Sequence, residues 1–221
     1  MTDAFTDDLF VGAVDDAQSV VFPVRRLILD PERFEDDADE PMAERGMGVV
    51  YERTSGGSPL RRRSSTEERE SLLDRFYRPH HRLLTQAVGT SISRHGRCLL
   101  IDGHSFPSIP LPYELDQDPN RPDICIGTDA FHTPAGLRDV AVRTTKDLGW
   151  SVAVDRPFAG TMVPSTHYRQ DARVASLMVE VNRRLYMDEV SGNRLPDFVH
   201  VRDRLQQFIR ALASAAGDVS P

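Results

Sequence analysis

Residues 97–106 read R-C-L-L-I-D-G-H-S-F. An apolar run from Leu99 to Ile101 gives way to Asp102, Gly103, His104 and Ser105. In an extended segment Asp102 and His104, two apart, face the same way. That pairs a carboxylate able to hold an imidazole with an imidazole able to ligate a divalent metal. The bland alternative is a surface turn, with Gly103 letting the chain bend. Glu180 is the second chemically pointed residue, inside V-A-S-L-M-V-E-V-N (174–182). A carboxylate among apolar strand residues is costly unless it is paired or ligating. Poor solvation would raise its pKa, which suits a general base or acid; the competing reading pairs Glu180 with Arg183 at a strand edge. Arg156, in V-D-R-P-F-A-G-T, follows an apolar run and precedes a glycine-containing loop, where a guanidinium can grip a carboxylate with two hydrogen bonds.

Elements that must position these residues follow from periodicity. A short helix over 4–11 places Phe5, Leu9 and Phe10 on one face. Short strands are expected over 19–24 and 47–53. Thr66 opens a helix, with early acids that suit its dipole. Pro79 kinks or interrupts that helix before a second stretch from His80 to His95, which Gly96 ends. A strand over 97–102 leads into D-G-H-S as a turn. Five prolines between 107 and 122 impose irregular chain. Then come strand 123–127, a helix from Pro134 to Leu148, strand 151–155, strand 174–182 and a final helix over 196–215. Strands alternating with helices, several apolar on both faces, argue a three-layer α/β/α sandwich with a mixed, largely parallel sheet. Sites in such sheets gather at carboxyl ends of strands, where the loops after Ile101, Val154 and Val181 are expected.

The totals narrow the function classes. With 221 residues the chain suits one domain, or two small ones. A net charge of −7 argues against nucleic acid as a partner. No run approaches the roughly 18 apolar residues of a membrane helix, and the acidic N-terminus has no signal-peptide pattern. Cys98 and Cys125 form no C-x-x-C and read as reduced core thiols of a cytoplasmic protein.

Several stretches, in order along nearly the whole chain, resemble the N-formylglutamate amidohydrolases. They are T-D-A-F-T-D-D-L-F (2–10), R-L-I-L-D-P-E-R-F-E-D-D (26–37), G-M-G-V-V-Y (46–51), Y-R-P-H-H (77–81) and L-I-D-G-H-S-F (100–106). Further on are R-P-D-I-C-I-G-T-D (121–129), D-R-P-F-A-G-T (155–161) and V-E-V-N-R-R-L-Y-M-D-E (179–189). The resemblance implies a phosphorylase/hydrolase-like fold similar to zinc carboxypeptidases and aspartoacylase. It implies hydrolysis of N-formyl-L-glutamate to L-glutamate and formate, a step of histidine degradation, with Zn²⁺ or another divalent metal as cofactor. In that scheme His104 is a metal ligand, and one acid of T-D-A-F-T-D, Asp3 in preference to Asp7, is another. Glu180 is the general base and acid, Asp102 supports His104, and Arg156, Asn182 and Arg183 contact the substrate. Family members also carry an earlier strand ending in a Pro-His-Ser-Gly-like motif that supplies a first metal-ligating histidine. No such motif occurs in this sequence, which implies truncation at the N-terminus. The alternative is a non-catalytic, metal-poor member that binds an acidic amino-acid-like ligand.

Overall fold

The computed structural model describes residues 3–218; Thr2 of the T-D-A-F stretch lies outside them. Its chain divides into two compact units. The first comprises Val20–Ala87 and Leu111–Glu114; the second comprises Asp3–Ser19, Val88–Pro110 and the chain from Leu115 onward.

The first unit is built largely from turns. Leu29, Val49, Val50, Leu73 and Tyr77 are buried together, with Phe22 and Leu72 against them. Neither expected strand, 19–24 or 47–53, forms there. Pro23 lacks a donor, and the 47–53 segment pairs its backbone with scattered loop groups. Glu52 and Arg53 both donate to the carbonyl of Gly46, and Val49 accepts from Asp30. Apolar residues are buried without a ladder. Asp30 is fully buried beneath them and accepts from the Tyr51 hydroxyl, with the Arg33 guanidinium 3.3 Å away. Burial, with the Asp30 charge beside it, pushes the Tyr51 hydroxyl well above its usual range.

Helix α2 spans Thr66–Leu72, and its N-cap hydroxyl comes from Ser65, not from Thr66. Ser65 is the N-cap, accepting from the Glu68 N–H while the Glu68 carboxylate accepts from the Ser65 N–H, a capping box. Pro79 does not break the helical run. A wide turn over Leu73–Tyr77 precedes α3 (Arg78–His95), and the Arg78 N–H reaches back five residues to Leu73. That wider turn lets a residue without an N–H follow in register. Gly96, at φ 73°, ends α3 as expected.

The second unit is an α/β sandwich. Its sheet has strand order β1-β4-β2-β3, with β1 (Cys98–Phe106), β2 (Ile124–Gly127), β3 (Val152–Val154) and β4 (Val174–Asn182). Strand β1 runs parallel to β4, β3 runs parallel to β2, and β2 runs antiparallel to β4. One face, with Leu177, Val179 and Val181 of β4 and Ile124 and Ile126 of β2, packs under α1 (Thr6–Phe10), α4 (Ala135–Asp147) and α5 (Phe198–Asp218). Leu9, Leu137, Leu205, Phe208 and Leu212 seal it, each stabilising the fold by about 1.5–3 kcal/mol through burial. The opposite face begins on Cys98, Leu100 and Val174 against Val88 and Ile92 of α3.

Two expectations are corrected here. D-G-H-S is not a turn: β1 continues through it to Phe106. And because β2 and β3 run opposite to β4, the loop after Val154 leaves from the end of the sheet away from the carboxyl ends of β1 and β4. No described helix is long and apolar enough to cross a membrane.

Candidate active site

Strand register brings the chemical residues together. His104 of β1 pairs with Glu180 of β4, which pairs in turn with Cys125 of β2. Alternation puts all three on the face opposite α4 and α5, two residues along from Asp102, Met178 and Gly127. His104 and Glu180 are both buried, at 7 and 8% exposure, near the carboxyl ends of their strands.

The His104 ring is held from both sides. Its Nε2 lies 2.8 Å from Asp102 Oδ1. An ionised carboxylate only accepts, so the ring donates from Nε2 in this contact. Nδ1 faces Asp3, whose Oδ2 is 3.8 Å away. Asp3 is fixed by the edge of β1: its Oδ1 accepts from the Ser105 N–H at 3.0 Å and the Ser105 hydroxyl at 3.2 Å. The backbone around Asp3 is pinned too. Thr6 donates to the Asp3 carbonyl, the Tyr186 hydroxyl donates to the Ala4 carbonyl, and left-handed Phe5 sets its ring edge-on against Phe198. Asp7, the other acid of that segment, lies exposed on α1.

An imidazole nitrogen and a carboxylate oxygen 3.8 Å apart are spaced as two ligands of one ion, each bonding at about 2.0–2.2 Å. The donor set suits zinc or a similar divalent cation, and the Asp102 carboxylate on the far ring nitrogen is the usual outer support of such a ligand.

Over this face runs a strap, residues 156–163. The Cys125 thiol donates to the Phe158 carbonyl at 3.2 Å, the Met162 N–H donates to Asp102 Oδ2 at 2.9 Å, and the Ser176 hydroxyl donates to the Met162 carbonyl at 3.0 Å. Gly127 leaves room for it: a β-carbon there would sit 2.3 Å from the Gly160 carbonyl oxygen. Phe106 and Phe158 meet edge to face at 5.8 Å, with the buried Arg121 guanidinium over both rings.

Other sequence candidates have different surroundings. Arg156 is exposed, and its fork spans Asp116 Oδ2 at 2.6 Å and Asp118 Oδ2 at 2.7 Å. Asn182 is fully buried and builds a turn, donating to the Pro122 carbonyl and accepting from the Arg184 N–H. Arg183 donates to the Ser105 hydroxyl and carbonyl and stands 3.8 Å from Asp3. It braces the β1 edge beside the candidate ligand and does not pair with Glu180 through any contact described. Sequence reasoning missed Arg121, Thr161, Met162 and Ser176. Ser176 alone had a signal: it is a polar residue four before Glu180 on the same strand face.

Burial, with the Glu180 charge beside it, pushes the Cys125 thiol up to about 12. It therefore stays protonated and is no nucleophile. Iodoacetamide at about pH 8 should leave Cys125 unmodified in the native protein and alkylate it after unfolding, read by mass spectrometry.

Comparison with known proteins gives a consistent result. The family model described as N-formylglutamate amidohydrolase matches residues 1–187. No curated protein matches the chain. The crystal structure of N-formylglutamate amidohydrolase from Ralstonia eutropha JMP134 superposes with a TM-score of 0.72 at 25% identity, covering 88% of this chain and 76% of that one. A gene product of Agrobacterium tumefaciens shares the fold, with a TM-score of 0.57 at 13% identity over 86% of this chain and 68% of that one.

Proposed function

The chain belongs to the N-formylglutamate amidohydrolase family, and we propose that it hydrolyses an N-acyl amino acid with a divalent metal, zinc first, held by His104 and Asp3. N-formyl-L-glutamate is the substrate this reading favours, giving L-glutamate and formate in the cytoplasm during histidine degradation. One observation carries it: His104 turns its Nδ1 toward Asp3 while Glu180 stands in register beside it. When bound, the metal supplies Lewis acidity for the amide carbonyl and for water.

The chain's own residues do the rest. Asp102 keeps the proton on His104 Nε2, so that Nδ1 stays available as a donor. Glu180 takes a proton from the attacking water as its oxygen bonds to the acyl carbon. It then delivers that proton to the departing amine nitrogen as the C–N bond breaks. The strap and the Phe106–Phe158 pair restrict water around the reacting amide. Arg156 meets a substrate carboxylate by exchanging its two aspartate partners for it. Asn182 and Arg183 serve substrate binding through the frame, one by shaping the turn after β4 and the other by holding Ser105 and Asp3.

The test is formate release from N-formyl-L-glutamate by the purified chain, with and without added zinc. Turnover should require the metal. His104→Ala should lower kcat/KM by at least about 100-fold, the scale of lost metal ligation or its support. Turnover unchanged by His104→Ala would overturn the reading.

A further inference from the structure

We infer that Ser176 and Thr161 are positioning residues for His104, acting through the Met162 main chain and the Asp102 carboxylate. This rests on the reading that His104 serves the reaction, and it adds residues from β4 and the strap that have no contact with the ring.

Proton counting fixes the direction of the chain of bonds. The Met162 carbonyl can only accept, so the Ser176 hydroxyl, 3.0 Å away, spends its single proton there. The Thr161 hydroxyl, 2.7 Å from the Ser176 oxygen, must then be the donor of that pair. The Met162 N–H donates onward to Asp102 Oδ2, and Asp102 Oδ1 accepts from His104 Nε2. Met162 is thus held through both of its main-chain polar groups. Each Asp102 oxygen thus accepts a hydrogen bond, which sets the plane of the carboxylate that orients the ring.

Ser176 has no other evident task for its hydroxyl. It is fully buried in an apolar strand. Its main chain is already satisfied, the N–H by the His132 carbonyl at 2.7 Å and the carbonyl by the Thr133 hydroxyl at 2.6 Å. A buried hydroxyl is unfavourable unless hydrogen-bonded, and here both of its bonds go to the strap. Alanine would fill the strand equally well and leave the Met162 carbonyl untied.

The experiment records ¹⁵N spectra of the His104 ring in metal-free protein and the zinc dissociation constant by competition with a chromophoric chelator. Ser176→Ala should mix the ring's two tautomers and weaken zinc binding about tenfold, the low end for lost outer support of a ligand. Thr161→Val should do the same more weakly, while Thr161→Ser, which keeps the donor, should match the parent. If Ser176→Ala and Thr161→Val lower only the melting temperature, leaving ring spectrum and zinc affinity unchanged, the inference fails. The ring spectrum is read without metal or substrate, so it decides this point even if His104→Ala were to leave zinc binding intact and remove the functional reading instead.

Discussion

Glu180→Gln should lower kcat on N-formyl-L-glutamate by about 10²–10⁴-fold, the usual loss when a positioned proton-transfer group is removed. Glutamine has nearly the same shape, so it preserves packing on a strand whose residues are buried on both faces. It cannot take a proton from water, and its amide N–H groups are too weakly acidic to protonate a leaving amine. KM should move little, because the substrate's carboxylates and the metal are contacted by other groups. Thermal unfolding should change little too, since the substitution removes a charge from a site that is only 8% exposed without opening a cavity. Steady-state kinetics alongside a circular-dichroism melt separate these effects. Retention of kcat within a few-fold would show that Glu180 moves no proton. A collapse of kcat accompanied by a large fall in melting temperature would mean that its role is structural.

The strand carrying Glu180 was legible in full. V-A-S-L-M-V-E-V-N is apolar on both faces because a central strand is covered on both, and its observed bounds, Val174–Asn182, coincide with the sequence expectation. Strand β1 was legible only as far as Asp102, four residues short of its end at Phe106. Asp102 and His104 face the candidate site, and apolarity was the signal used, so the strand seemed to stop where the chemistry begins. Gly103 was misleading in the same way. Its missing side chain serves no bend: a β-carbon there would stand 2.9 Å from the Phe10 ring, so glycine lets α1 lie against β1. The strands expected over 19–24 and 47–53 failed for the opposite reason. Val49, Val50 and Tyr51 are buried, but the segment's backbone bonds go to the Asp30 and Gly46 loops and not to a neighbouring strand, and hydrophobicity alone cannot tell a buried loop from a strand.

For the site, side-chain identity was informative and side-chain partnership was not. His104 and Glu180 stand out because a ring and a carboxylate are unusual in apolar strands. Their adjacency depends on β1 pairing with β4 across some seventy residues of sequence, which local pattern does not encode. Arg156 was foreseen as a carboxylate grip, and it does grip carboxylates, those of Asp116 and Asp118. The main-chain groups of Met162 carry no sequence signal, since every residue has them.

Gly127→Ala should cost about 2–3 kcal/mol of stability and most of the activity together, although it adds a single methyl group to the end of a strand. The added carbon would stand 2.3 Å from the Gly160 carbonyl oxygen and 2.5 Å from Met178 Cε. Met178 can turn aside, but the carbonyl belongs to the strap's backbone and can retreat only if the strap lifts. Lifting it strains the bonds that tie the strap to the sheet: Cys125 to Phe158, Ser176 to Met162, and Met162 to Asp102. The last of these orients His104 through Asp102, so the stability loss and the catalytic loss have one cause. Gly89→Ala is the control. It lies inside α3 with no atom within 4 Å of the added carbon, and should stabilise the chain by about 0.5–1 kcal/mol by replacing a helical glycine. Urea denaturation of both variants, with kcat/KM measured on each, distinguishes a clash under the strap from a general intolerance of substitution at glycine. Gly127→Ala with parental stability and turnover would mean that the strap does not need its close seat on β2.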